Sequence, residues 1–270
     1  MTDRRLLPVS PSKLDVWQQC AFRFRLQYVD KVAATGQWAH RSLGNAVHAA
    51  LRDWFDIEDQ AERTDGAAGR LVHLHWSDQG FRDEEQSRHW REVTAGIVAR
   101  YCREHPAPVP FSRERSLGAL GEHVTLSGRI DRIDERDGEL VIVDYKTGTT
   151  VPTIDDAKVS RALAIYSIVA ERSLRRTARV VQLHHVPSGV VVEHRHTDES
   201  LARHLSRADA MGRDMAVAIA TGESAFATSP GPLCGWCDYR DRCPDSGQVP
   251  PQVPWAGLPT TEATTDSFPM

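Results

Sequence analysis

Apolar side chains recur at helical spacing through the first hundred residues of the chain. Ser10 precedes a run with Leu14 and Trp17 on one helical stripe, and residues 44–56 and 82–104 carry similar stripes. After residue 120 the apolar period falls to two, which is typical of strands. The later predicted elements are strands at 122–133 and 139–146, a helix at 155–175, strands at 178–186 and 189–196, and a helix at 198–220. This order predicts an α/β fold.

Two acidic residues and a lysine meet on the first predicted strand pair. A type I′ turn at Asp137-Gly138 sets the register between the strands. That register places Asp131 opposite Asp144, with Cβ atoms about 5 Å apart. Lys146 projects from the same face as Asp144, because side chains alternate along a strand. Two carboxylates this close require a cation, and Mg²⁺ and Mn²⁺ prefer oxygen ligands. The patch therefore predicts a metal-dependent centre that cleaves phosphodiesters, where Lys146 orients or activates water.

A surface salt bridge is the alternative interpretation of an isolated Asp-x-Lys sequence. Here Asp144 and Lys146 follow the apolar run Leu140–Val143, which indicates a buried strand. Ionised side chains at the end of a buried strand favour a functional site.

Three motifs, in the same order along the chain, resemble those of the RecB-like PD-(D/E)XK nucleases. They are Ser10-x-Ser-x-Leu-x-x-Trp17-x-x-Cys20, Gly44-x-x-x-His48, and Gly128-Arg-Ile-Asp131 followed by Val141-Ile-Val-Asp144-Tyr-Lys146-Thr-Gly148. The resemblance implies a restriction-endonuclease-like fold, with a central mixed sheet flanked by helices and a helical N-terminal part. It also implies a catalytic lysine, Lys146, and a divalent metal ion bound by His48, Asp131, Asp144 and the Tyr145 backbone carbonyl.

One motif of that family is incomplete in this chain. The helix after the catalytic lysine usually carries Gln-x-x-x-Tyr, and this chain has Ala162 and Tyr166 at those positions. The resemblance therefore places Tyr166 in the catalytic group, whereas the glutamine is missing. Arg161, next to Ala162, is either a substitute group that faces phosphate or a solvated side chain. The missing glutamine raises a second hypothesis, a DNA-binding accessory subunit with impaired cleavage.

Three cysteines near the C-terminus have the spacing of a metal-binding cluster. Cys234-x-x-Cys237 and Cys243 need a fourth ligand, for which Cys20 is the candidate. This arrangement is similar to the iron–sulfur branch of the RecB-like family, which includes AddB and the CRISPR-associated RecB-like exonucleases, and it implies a [4Fe-4S] cluster. Four thiolates also suit Zn²⁺. Either centre would clamp the first helix to the C-terminal segment. Cys102 has no cysteine nearby in the sequence, so we expect it to be a small buried residue.

Composition limits the domain organisation and the compartment. Of the 270 residues, 40% are hydrophobic, which is enough for one main domain, assigned to residues 1–244. Residues 245–270 are rich in Pro and Thr and predict a disordered tail. The sequence has no apolar run typical of a leader peptide or a bilayer span, so we expect a cytoplasmic protein with no membrane partner.

These observations predict a Mg²⁺- or Mn²⁺-dependent deoxyribonuclease. We expect an exonuclease of DNA repair or recombination that acts on DNA with free ends or single strands. The formal net charge of -4 gives no global attraction to DNA, so a helicase or another recombination protein is an expected partner.

Overall fold

A mixed β-sheet runs through the centre of the chain. The computed structural model describes residues 6–256 and residue 258. The strands are β1 (Leu7–Val9), β2 (Ser112–Leu120), β3 (Val124–Arg136), β4 (Glu139–Lys146), β5 (Val180–His185) and β6 (Val190–Arg195). In this described part they form one six-stranded sheet in the order β1-β3-β4-β5-β6, with β2 paired to β3. The β1–β3 and β4–β5 pairs are parallel, and the others are antiparallel. The predicted α/β fold with a central mixed sheet is confirmed.

Helices cover both faces of the sheet. They are α1 (Pro11–Gln19), α2 (Ala21–Phe24), α3 (Ala39–Trp54), α4 (Asp65–Leu74), α5 (Glu84–Glu104), α6 (Ile154–Val159), α7 (Arg161–Leu174) and α8 (Asp198–Thr221), with a π-helical turn at Arg25–Val29. The Ser10 hydroxyl caps α1 as predicted, because it accepts a hydrogen bond from the Lys13 backbone N–H. The predicted helix at 155–175 is divided, since Ser160 leaves the helical conformation and caps α7. Within the described residues, no helix combines the length and apolar character needed to cross a bilayer.

Two strands, β1 and β2, are absent from the sequence-based prediction. β1 has only three residues, one of them Pro8. β2 begins Ser-Arg-Glu-Arg-Ser, so its first half carries no alternation of apolar and polar positions. Both strands are held by their pairing with β3, which the local sequence does not reveal.

Each face of the sheet has its own core. The core beneath α7 and α8 includes Ile142 of β4 and Leu163. The core beneath α3, α4 and α5 includes Val141 and Val143 of β4 together with Val98. Successive residues of β4 therefore enter opposite cores, which confirms the predicted buried strand.

One edge of β3 is divided between two partners. Leu126 pairs with residues of both β1 and β2, so β1 and β2 lie on opposite edges of β3. Arg132 pairs with residues of both β2 and β4, so β2 and β4 also lie on opposite edges. β1 and β4 therefore share one edge, and residues 127–131 separate their paired stretches. We call this separation the fork.

A buried polar network lies behind β4. The Arg132 guanidinium binds the Asp134 carboxylate and donates a hydrogen bond to the Tyr145 hydroxyl at 3.1 Å. The Tyr101 hydroxyl of α5 lies 2.5 Å from Nδ1 of His184. Burial raises the pKa of Tyr145 to about 12 and lowers the pKa of His184 to about 3, so both side chains are neutral near pH 7. The network holds the C-terminal end of β4 in place.

Residues 245–256 lie against the rest of the chain. The Gln252 backbone N–H donates to the Gly235 carbonyl at 2.9 Å, and the Ala39 N–H donates to the Pro254 carbonyl at 3.1 Å. These contacts hold the first part of the segment assigned to the tail, and residues 259–270 lie outside the described residues. The domain boundary at residue 244 stays a prediction.

Gly212 allows α8 to contact β3. A Cβ atom at this position would overlap the Val124 side chain, whereas Gly96 of α5 has open space around it. We expect Gly212→Ala to lower the free energy of unfolding by about 1–3 kcal/mol, because overpacking forces the two elements apart. Gly96→Ala should raise it by roughly 0.5–1 kcal/mol, because alanine favours the helix. Urea unfolding measures both values, and equal stabilities would contradict the α8–β3 contact.

Neutral, buried His184 predicts a loss of stability in acid. Its pKa is about 3 in the folded chain, against 6.5 for an ordinary histidine. The unfolded chain therefore binds an extra proton between these values, and the fold is destabilised increasingly as the pH falls below 6.5. We expect a cost of up to about 2 kcal/mol at about pH 5. His184→Gln should flatten the pH dependence of the unfolding midpoint, and His73→Gln, at a partly exposed ring, should leave it unchanged. A wild-type pH profile in His184→Gln would refute this assignment.

Candidate active site

The hairpin between β3 and β4 has the register that the sequence predicts. Asp137 and Gly138 have φ angles of 54° and 80°, both positive as a type I′ turn requires. From this turn, five cross-strand pairs run back to Arg132 and Val143. Asp131 and Asp144 are the next positions in this register, and they lie where the two strands separate.

Asp131 lies in the fork. Its Oδ2 atom accepts a hydrogen bond from the Tyr145 backbone N–H at 2.9 Å, in place of another strand-to-strand bond. The alternation of β3 shifts by one residue here, because Ile130 and Ile133 both enter the core beneath α7. Asp131 therefore sits at a local irregularity of the strand, with 14% of its side chain exposed.

Asp144 and Lys146 form a partly buried ion pair. Lys146 Nζ lies 2.7 Å from Asp144 Oδ2. Burial raises the pKa of Asp144 above its ordinary value, although the Lys146 charge opposes this. Burial also lowers the pKa of Lys146, but the Asp144 and Asp131 charges outweigh it, so the pKa of the ammonium group lies above its ordinary value. With 46% of the Lys146 side chain exposed, this charge remains accessible at the mouth of the site.

His48 reaches Asp131 from α3. A Cβ atom at Gly44, one helical turn earlier, would lie 3.1 Å from the Thr147 hydroxyl, so glycine lets α3 come close to the end of β4. His48 Nδ1 lies 3.4 Å from Asp131 Oδ2. Burial lowers the pKa of His48, but the hydrogen bond and charge of Asp131 outweigh burial and raise the pKa above its ordinary value. The imidazole is therefore held against a carboxylate, and the role of His48 as a metal ligand stays a prediction.

Glu114 of β2 is the residue of this site that the sequence analysis did not identify. The β2–β3 register places it opposite Asp131, and its φ of 46° is unusual for a non-glycine residue. Ligand atoms of His48, Glu114 and Asp131 all lie within 4.8 Å of one another, a group that can hold a metal ion. A prediction of β2 and its register would have been needed to find Glu114.

Tyr166 of α7 lies directly on the backbone of β3. A Cβ atom at Gly128 would be 2.6 Å from the Tyr166 ring. Burial and then the charges of Asp144 and Asp131 raise the pKa of Tyr166 above its ordinary value. Gly128 and Tyr166, which belong to two separate sequence motifs, are therefore packed against each other.

Arg161 is bound to α1. Its Nη1 atom donates to Asp15 Oδ1 at 2.7 Å, and its Nη2 atom contacts Gln18 Oε1. Asp15 is one of the charges that raise the pKa of Lys146, so this contact lies at the edge of the site. Arg161 is therefore paired with α1 while 24% of its side chain stays exposed, and both interpretations of its role stay predictions. A substitute for the glutamine absent at Ala162 would first have to leave these α1 partners.

The four cysteines that the sequence predicts as ligands line one cavity of about 370 Å³: Cys20, Cys234, Cys237 and Cys243. All four are free thiols. Backbone N–H groups of Arg23 and Gly231 donate to the sulfurs of Cys20 and Cys234, at 3.4 and 3.3 Å. Cys102 is buried on α5, and burial raises its pKa to about 12, which agrees with its predicted role in packing.

The cysteine segment also contacts the start of α3. The buried Asp238 carboxylate accepts hydrogen bonds from Trp38 Nε1 at 2.6 Å and from Arg41 Nη1 at 2.9 Å. The Trp236 ring lies against Trp38, with centroids 5.2 Å apart. Because α3 also carries His48, this helix connects the segment with the C-terminal cysteines to the carboxylate group.

Comparisons with known proteins identify the superfamily. A sequence profile of the PD-(D/E)XK nuclease superfamily matches residues 8–244. Among solved structures, a "Putative exonuclease" from Eubacterium rectale is 10% identical with a TM-score of 0.47, over 77% of this chain and 79% of that chain. SSO0001 is 14% identical with a TM-score of 0.37, over 88% and 86%. A comparison with curated proteins finds no match. Because the profile spans most of the sequence, the chain belongs to the PD-(D/E)XK nuclease superfamily.

Proposed function

We propose that the chain is a divalent-metal-dependent deoxyribonuclease that hydrolyses phosphodiester bonds. The observation that carries this proposal is the group of His48, Glu114 and Asp131 at the fork, beside the Asp144–Lys146 pair. Membership of the PD-(D/E)XK nuclease superfamily supports nuclease chemistry. The oxygen-rich donor set favours Mg²⁺ or Mn²⁺, which are hard cations.

The proposed metal ligands come from α3 and three adjacent strands: His48, Glu114, Asp131, Asp144 and the Tyr145 backbone carbonyl. The donor set fits a divalent cation, because carboxylate oxygens, a backbone carbonyl and an imidazole nitrogen are ligands that such ions take. The bound ion would supply an activated water molecule and neutralise charge on the scissile phosphate.

Lys146 and Tyr166 act on the substrate directly in this proposal. Because the pKa of Lys146 is raised, its ammonium group is protonated at neutral pH and acts through its charge. Asp144 holds it on one side, and its exposed side orients the attacking water and stabilises negative charge on the phosphate. The pKa of Tyr166 is also raised, so its hydroxyl donates a hydrogen bond to a phosphate oxygen.

We further propose that the four cysteines hold a [4Fe-4S] cluster, as in the iron–sulfur branch of the RecB-like nucleases. A cavity lined by four thiols and N–H donors to two sulfurs fit this group. Four thiolates also suit Zn²⁺, which is the alternative occupant of this cavity.

The proposed substrate is DNA with free ends or single strands, degraded as an exonuclease in repair or recombination. A helicase or another recombination protein is the proposed partner, because the net charge of the chain provides little attraction to DNA. The five free cysteines favour a reducing compartment, the cytoplasm.

An accessory subunit with impaired cleavage is the second candidate. Ala162 favours it, because this position lacks the amide that normally accompanies Tyr166 in the family. The grouped carboxylates and Lys146 favour the active enzyme instead. Cleavage by the purified chain separates the two candidates.

Single substitutions test the nuclease proposal on end-labelled single- and double-stranded DNA with Mn²⁺. We expect Asp144→Ala and Lys146→Ala each to reduce cleavage by about 100-fold or more, because each removes a group that acts on the reacting phosphate. Chelation with EDTA should abolish cleavage. Asp241→Ala and Lys158→Ala, at exposed positions outside the group, should leave the rate unchanged.

A folded wild-type chain that retains its cluster but leaves DNA uncut with Mg²⁺ and Mn²⁺ would overturn the nuclease proposal. If that chain still bound DNA, the accessory subunit would take its place. Equal cleavage by the wild type and Asp144→Ala would instead point to a contaminating nuclease.

Metal analysis of protein purified without oxygen tests the cluster. We expect iron and acid-labile sulfide in equal amounts, and their loss in Cys237→Ser, because one thiolate ligand is removed. Cys102→Ser is the matched control and should retain both, since Cys102 lies outside the cavity. Zinc without sulfide would contradict the cluster and support the zinc alternative.

A further inference from the structure

Arg129 of β3 lies at the mouth of the carboxylate group. It precedes Asp131 by two residues, and its Nε atom contacts Glu114 Oε2. The two partners differ in exposure, because 63% of the Arg129 side chain is exposed and only 15% of the Glu114 side chain. The guanidinium is therefore paired with a largely buried carboxylate while most of the Arg129 side chain meets solvent.

Other arginines near this group have their guanidinium groups engaged elsewhere. Arg52, whose pKa is raised in part by Glu114, binds its neighbour Asp53. Arg113 contacts the Arg52 carbonyl and Asp56. Arg129 pairs with Glu114, and Nε makes the closest contact of this ion pair.

We infer that Arg129 binds a phosphate of the DNA backbone next to the scissile bond, and this rests on the proposed function. Three carboxylates repel an approaching polyanion, so a positioned cation is needed beside the metal ligands. With 63% of its side chain exposed, Arg129 can present guanidinium N–H groups to solvent in the fork geometry that suits phosphate oxygens. Glu114 thus orients Arg129 as well as completing the metal-binding group.

Arg195 provides a matched control. It is 59% exposed and binds Glu139, which is 18% exposed, so its pair resembles Arg129–Glu114 in burial. Glu139 lies at the opposite end of β4 from Lys146. Asp144 is five positions further along the strand than Glu139, which is about 17 Å at 3.3 Å per residue. Loss of Arg195 therefore removes one exposed positive charge away from the fork.

The test measures binding rather than cleavage. Fluorescence anisotropy with labelled single-stranded DNA and Mg²⁺ compares Arg129→Ala, Arg129→Lys and Arg195→Ala, all in a Lys146→Ala background that retains every proposed metal ligand. We expect Arg129→Ala to raise Kd by roughly tenfold and to reduce the salt dependence of log Kd by about 0.7, the value for one lost contact to a single strand. Arg129→Lys should restore the salt dependence but only part of the affinity, because lysine lacks the fork geometry. Arg195→Ala should have the same Kd and the same salt dependence as the Lys146→Ala chain without a second substitution.

If Arg129→Ala and Arg195→Ala have equal Kd values and an equal salt dependence of log Kd, Arg129 does not bind a DNA phosphate, even if the chain with Lys146 cuts DNA. Failure of the proposed nuclease function has a different signature, since the chain with Lys146 would then leave DNA uncut, and a chain that also fails to bind DNA overturns both proposals. Thermal melting of each variant shows whether it is folded. If Arg129→Ala melts early, Arg129→Gln replaces it as the charge-removing variant and is held to the same expected values.

Discussion

The crowding of carboxylates at the fork is the constraint on which the rest of this structure depends. Glu114, Asp131 and Asp144 come from three adjacent strands, and Asp144 is almost fully buried. Like charges a few ångströms apart cost several kcal/mol in a partly buried site, so such a group persists only with cations and a rigid frame. Lys146 and Arg129 supply protein cations, and the buried network of Arg132 and Tyr145 supplies part of the frame.

The part of the site on β3 and β4 was predictable because its geometry is local. Both residues of the Asp137-Gly138 turn adopt positive φ, which fixes strand register without any distant contact. Once the register is set, the positions of Asp131, Asp144 and Lys146 follow from alternation alone. His48 and Tyr166 required the family resemblance, because a histidine or tyrosine on a helical stripe carries no local sign of its partner.

The rest depends on contacts between segments that are distant in sequence. β2 forms a strand because it pairs with β3 along its whole length. The local sequence does not show this pairing, so Glu114 was missing from the predicted ligands. The shift in alternation at Asp131 has no signal in Gly-Arg-Ile-Asp, since both neighbouring isoleucines suit a buried strand. Arg161 finds Asp15 and Gln18 only after α7 lies against α1. Each of these features is decided by tertiary packing, which overrides the local pattern.

The two ends of the chain meet in a way that joins both proposed centres. Cys20 follows α1, and three further cysteines lie more than two hundred residues later, so the cavity that they line closes a loop that contains strands β2 to β6. The same C-terminal segment holds the start of α3 through Asp238, Trp38 and Arg41. The rotation and tilt of α3 determine where His48 meets Asp131. A group bound at the cysteines would therefore stabilise the ligand geometry at the fork through α3, even though it takes no part in hydrolysis.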